Sequence, residues 1–123
     1  LHLHTATTIK RGASFTAVLD DRRGNSASAQ VSASIKAARD GAAPGDDAPA
    51  LAVFGVTYQA DIERDDGTSG PGWFLTLTEA DTLALVAGRN VITDVRIEIN
   101  GSVYYSDSAR LAVVERVTES VNG

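Results

Sequence analysis

The chain has 123 residues, 11 basic against 16 acidic side chains for a formal charge of -5, and no cysteine. This length can bury a core without staples, and the missing thiols exclude disulfides, cysteine nucleophiles and cysteine-based zinc sites. An acidic balance with no basic stripe argues against nucleic acid as a partner, and no apolar run approaches the roughly 20 residues that cross a bilayer, so no membrane partner is expected either.

In chain order, residues 5–10 are β-branched and polar and predict a short first strand or an arm leading into the domain. Phe15, Ala17 and Leu19 alternate with Ser14, Thr16 and Asp20, a half-buried strand closed by the turn-rich residues 20–25. The cleanest two-face pattern is Val31, Ala33, Ile35 and Ala37 against Gln30, Ser32, Ser34 and Lys36. Residues 40–49, rich in Gly, Pro and Asp, predict an exposed, mobile loop. Phe54, Val56, Tyr58, Ala60 and Ile62 form the next strand face, in which Gly55 marks a bulge or a close backbone approach.

Residues 64–72 read as a second long loop, followed by a strand in which Trp73, Leu75 and Leu77 alternate with Phe74 and Thr76. Thr78 caps a short helix over about residues 79–86, Asp81 completes a capping box, and Gly88 stops the helix. Val91, Thr93, Val95, Ile97 and Ile99 then alternate with Ile92, Asp94, Arg96 and Glu98 up to Asn100-Gly101. That dipeptide predicts a type I′ turn, folding residues 102–117 back antiparallel. Pairing through the turn puts even-numbered residues of the last strand on the core side, yet Leu111 and Val113 are odd, which predicts a bulge or bend within residues 106–108.

The expected architecture is all-β: an immunoglobulin-like antiparallel β-sandwich of about seven strands with one short helix. It would span residues 9–118, between an N-terminal arm at 1–8 and a C-terminal tail at 119–123. No Cys…Trp…Cys frame exists, which excludes an antibody-type domain.

His2 and His4 share one strand face and could take a metal with a carboxylate, but their place at a chain end predicts fraying, and no metal site is expected. The pairs Asp20-Asp21, Asp46-Asp47 and Asp65-Asp66 lack the alternating spacing of a calcium loop and predict solvated turns. With no nucleophile elbow, phosphate-cradling loop or histidine base in a structured segment, neither a catalytic residue nor a cofactor is expected. Tyr58 and the pairs Trp73-Phe74 and Tyr104-Tyr105 supply large rings for a sugar or a protein partner. Strand geometry sends one ring of each pair inward and its neighbour outward, making Trp73, Phe74, Tyr104 and Tyr105 the candidate partner contacts.

Two stretches carry a resemblance: Thr8-Ile9-Lys10-Arg11-Gly12-Ala13-Ser14-Phe15, and Phe74 through the Asp81-Thr82 turn to Leu85, then Gly88 and Thr93-Asp94-Val95-Arg96-Ile97. They resemble a group of small immunoglobulin-like domains of tailed bacteriophages, found in the N-terminal part of baseplate upper proteins and in short stand-alone virion proteins. Ala13 stands where that family usually has an acid, no aromatic follows Gly88, and the spacing from Gly88 to Asp94 is about one residue long. The resemblance implies a non-enzymatic structural protein of the virion, in the tail, baseplate or capsid exterior, contacting other virion proteins as a homo-oligomer or within a lattice. A different class, a carbohydrate-binding β-sandwich using Trp73 or Tyr105 as a stacking surface, is the main alternative. A hydrolase using a loop carboxylate pair is a third.

Overall fold

Period-two alternation turns most of the chain into strands. The computed structural model describes residues 2–21, 28–38 and 49–116. Its elements are β1 (His2–His4), β2 (Thr8–Lys10), β3 (Phe15–Asp20), β4 (Gln30–Ala37), β5 (Ala52–Val53), β6 (Gly55–Glu63), β7 (Ser69–Leu77), α1 (Glu79–Leu83), β8 (Asn90–Ile99), β9 (Ser102–Tyr105) and β10 (Ala109–Val114). One sheet runs β1-β3-β7-β6 and the other β2-β10-β8-β4-β5, with β9 also on β8. Two sheets with this strand order, packed face to face, make an immunoglobulin-like sandwich with an added strand beside β4. Leu19, Leu75 and Leu77 from the first sheet meet Ile35, Val95 and Ile97 from the second, all essentially without exposure. Each such side chain contributes about 1.5–3 kcal/mol by leaving water.

Among the described residues ten strands stand in place of the expected seven, because three segments break where the sequence reads one. Residues 2–8 are not a free arm. Leu3 pairs with Leu19 and is buried in the first sheet, whereas Ile9, on the parallel strand beside β10, is buried in the second. One core residue per short strand is too little to show a period, which is why the segment resembles an arm. The expected strand from residue 52 to 62 likewise divides at Phe54, whose N–H donates to Ala33 O at 3.0 Å as the chain leaves one sheet for the other. Gly55 makes the anticipated close approach, since a Cβ there would lie 3.2 Å from Thr76 Oγ1.

The long loop expected at residues 64–72 is a tight hairpin instead. Arg64 N–H donates to Thr68 O at 2.9 Å, and β7 already begins at Ser69. Pro71 therefore sits within a central strand, where it has no N–H for the ladder. The register moves from Gln59↔Gly72 to Ile62↔Gly70, so Ala60 and Asp61 together oppose Pro71 in a β-bulge. A second bulge lies where the sequence places it: the pairing shifts between Arg96↔Tyr105 and Thr93↔Ala109. Ser106 fills the gap, its N–H donating to Val95 O and its hydroxyl accepting from Val95 N, both at 2.9 Å. The loop at residues 40–49, apart from Pro49, and the tail at 119–123 lie outside the described residues.

Asn100 and Gly101 have φ of 51° and 81°, as a type I′ turn requires. Gly101→Val is expected to cost on the order of 1 kcal/mol or more, because a β-branched residue resists positive φ. Urea unfolding checks this, and an unchanged midpoint would contradict it.

The helix is shorter than expected. Thr78 and Asp81 form the complete capping box, but α1 ends at Leu83, and Gly88 instead donates its N–H to Val113 O at 2.8 Å in the turn into β8. What the helical turn does is receive the chain from the opposite end. Thr82, fully buried, accepts from Gly12 N at 3.0 Å and donates to Ala13 O at 2.8 Å. Arg11 donates from Nε to Leu85 O at 2.7 Å and from Nη2 to Leu83 O at 2.9 Å, satisfying carbonyls that the helix end leaves open. The segment around Arg11-Gly12 and the turn from Thr82 to Leu85 thus meet in space as a clasp. Thr82→Val should cost about 1–3 kcal/mol by leaving Gly12 N–H without its partner, read as a lowered unfolding midpoint.

Candidate functional site

Cross-strand pairing assembles one exposed surface, the outer face of the second sheet. Ser32 lies opposite Arg96, Ser34 opposite Asp94, and Arg96 opposite Tyr105, so β4, β8 and β9 present these side chains side by side. Between Tyr105 and Val53, exposed by 58% and 66%, runs a shallow groove of about 310 Å³. Its walls include Ser32, Ser34, Lys36, Asp94, Arg96 and Ser108. Arg96 and Glu98 stand 3.6 Å apart with both side chains well exposed, a screened pair that contributes little to stability and remains free to re-pair. The arrangement offers apolar contact at two ends and hydrogen-bonding groups of both charges between them, which suits recognition more than chemistry.

The four aromatic candidates are not brought together. Trp73 is 3% exposed and belongs to the core, with Tyr58 edge-on at a centroid distance of 6.3 Å. It therefore cannot stack a ligand. Phe74, its half-buried neighbour, faces the other way on the first sheet. Both rings of Tyr104-Tyr105 are exposed, against the expectation that one is core. Tyr104 shares a face with Ile97 but sits on β9, which is exposed along its whole length. Only Tyr105 of the four borders the groove. Val53, Asp94 and Arg96 are the contributors that the sequence reading passed over. Their signal was the polar alternation of β4 and β8, which marks a wet face without saying that it is a site.

The acidic pairs divide. Asp65 and Asp66 form the exposed turn expected of them, with Asp66 Oδ1 accepting from Thr68 N at 3.0 Å and Thr68 Oγ1 at 2.6 Å. Asp20 and Asp21 do not form a solvated turn: both are buried, and Asp20 is clamped by Arg64. Asp46 and Asp47 lie outside the described residues. His4 is exposed on β1, and among the described residues no three His, Cys, Asp or Glu side chains gather to hold a metal ion. No described helix is long and apolar enough to cross a membrane.

Glu115 is held below the ordinary carboxylate range by its hydrogen bond from Arg11, at 2.5 Å, and by the Arg116 backbone. A folded-state value below the unfolded one adds stability above the ordinary carboxylate pKa, and that contribution is lost as pH falls through the lowered value. Glu115→Gln should therefore flatten the acid limb of the stability profile slightly, measured by thermal unfolding across pH.

No family model matches this chain, and no curated protein sequence matches it.

Proposed function

We propose that the chain is a non-enzymatic structural component of a bacteriophage virion, acting through protein contacts on the outer face of its second sheet. The observation that carries this reading is the clasp between Arg11-Gly12 and the turn formed by Thr82, Leu83 and Leu85. It joins the two stretches that resemble the phage domains at Arg11, Gly12 and Thr82, residues that hold the fold, while Asp94 and Arg96 of the second stretch lie on the Tyr105 face that is left for partners. Exposed large rings are sparse on free monomers, so a Tyr105 and Val53 rim is better suited to being covered than to standing in solvent. The test is quantitative mass spectrometry of purified particles from a host that makes the chain. Presence at a fixed, multiple copy number, reduced by Tyr105→Glu, supports the reading, and absence from particles defeats it.

One observation favours a second reading. A ring beside Ser32, Ser34, Asp94 and Arg96 is also the composition of a saccharide subsite, with the ring stacking and the polar groups bonding hydroxyls. A glycan-array screen separates the two: saturable sugar binding abolished by Tyr105→Ala would favour the carbohydrate module.

A further inference from the structure

We propose that β6 is an assembly edge on which a second copy of this chain pairs antiparallel across a two-fold axis at Thr57. Among the described residues the sheet edges are unequal: β1 and β2 have three residues, β5 has two and β9 has four, whereas β6 has nine. Among the described residues no strand pairs with the outer side of β6. Long edges in soluble proteins are commonly blunted by Lys, Pro or a bulge. β6 has no Lys and no Pro, and its bulge comes only after Gln59, which leaves residues 55–59 regular and uncharged.

That stretch is complementary to itself. With Thr57 on the axis, Val56 of each copy lies opposite Tyr58 of the other, and Gly55 lies opposite Gln59. Aromatic and β-branched residues are among the favourable cross-strand pairs, and Thr opposite Thr can hydrogen-bond. Val56 is half-buried and Tyr58 is 44% exposed in the free chain, with one side of its ring already set against Trp73. A second copy would cover the open side. The same register brings Asp61 and Glu63 past the end of the partner's strand, because the chain leaves this sheet at Phe54, so no carboxylate meets another. A patch that matches itself in this way defines an isologous dimer contact, and the proposal does not depend on what meets the Tyr105 face.

The absence of cysteine makes the test clean. Thr57→Cys places two thiols directly opposite each other, where antiparallel Cα atoms are about 4.5–5.5 Å apart and a disulfide can form. Gln59→Cys, on the same strand, leaves its thiols more than roughly 13 Å apart. Under mild oxidation the first variant should cross-link on the order of tenfold or more faster than the second. Light scattering of the unaltered chain should show a dimer mass that falls on dilution. Thr57→Lys, which sets two ammonium groups at the axis, should weaken association about tenfold or more while leaving the unfolding midpoint in place at dilutions where both proteins are monomeric. Equal cross-linking of the two variants, or a monomer mass at every concentration, would overturn the proposal. Faster cross-linking of Gln59→Cys would overturn the register. Protection of the β6 amides that appears only on adding another protein would assign the edge to a foreign strand and overturn the second-copy occupant.

Discussion

Gly72→Val is expected to destabilise the domain by on the order of 3 kcal/mol or more, enough to unfold a marginal sandwich at physiological temperature. Gly72 lies in β7 between Asp20 of β3 and Gln59 of β6. A Cβ at this position would stand 2.4 Å from Leu19 O and 2.7 Å from Ile62 Cδ1. The isoleucine methyl can swing away. The carbonyl cannot, because it belongs to the backbone of β3, which pairs with β7 along its whole length. Even Gly72→Ala must push the two central strands of the first sheet apart, so its urea midpoint should also fall. An alanine variant with an unchanged midpoint would show that β3 can yield there.

Asp20→Ala should cost about 3–5 kcal/mol for a different reason: it strands a nearly buried charge. Arg64 Nε donates to both carboxylate oxygens of Asp20, at 2.9 and 3.0 Å, and the two side chains are 12% and 5% exposed. The guanidinium reaches Asp20 across Gly70, where a Cβ would lie 2.5 Å from Nη2. Removing one partner leaves the other with the full penalty of desolvation, whereas replacing both by apolar residues removes charge and penalty together. The pair Asp20→Leu with Arg64→Met is therefore expected to cost less than Asp20→Ala alone. A double-mutant cycle by urea unfolding checks the sign of the coupling, and strictly additive costs would contradict it.

The features legible in the sequence are those whose cause is local. Asn100-Gly101 dictates its own turn, the Thr78 and Asp81 capping box needs only three residues of spacing, and the parity change between Tyr104 and Leu111 announces the Ser106 bulge. The misread features depend on partners far along the chain. Asp20 looks like a turn residue until Arg64, forty-four positions away, is placed against it. Residues 69–72 are Ser-Gly-Pro-Gly, a loop by composition, yet they pair as a strand because β6 bulges around Pro71 and Gly72 fits against Leu19 O. Leu3 and Phe54 sit where the chain changes sheets, a topological event that no short window can contain. For the candidate site, alternation gave the wet face of β4 and β8. It could not reveal that Tyr105 and Val53 would rim it, because that follows from β9 and β5 docking on opposite sides of those strands.

The most direct measurement of the proposed role is hydrogen exchange on the purified chain and on the same chain within particles. On assembly, amides of β9 and the neighbouring outer face around Tyr105 should become protected, while those around the clasp of Gly12 and Thr82 should exchange alike in both states. Unchanged exchange along β9, with new protection confined to the Arg11 to Gly12 clasp, would contradict the division between a fold-holding clasp and a partner-binding face.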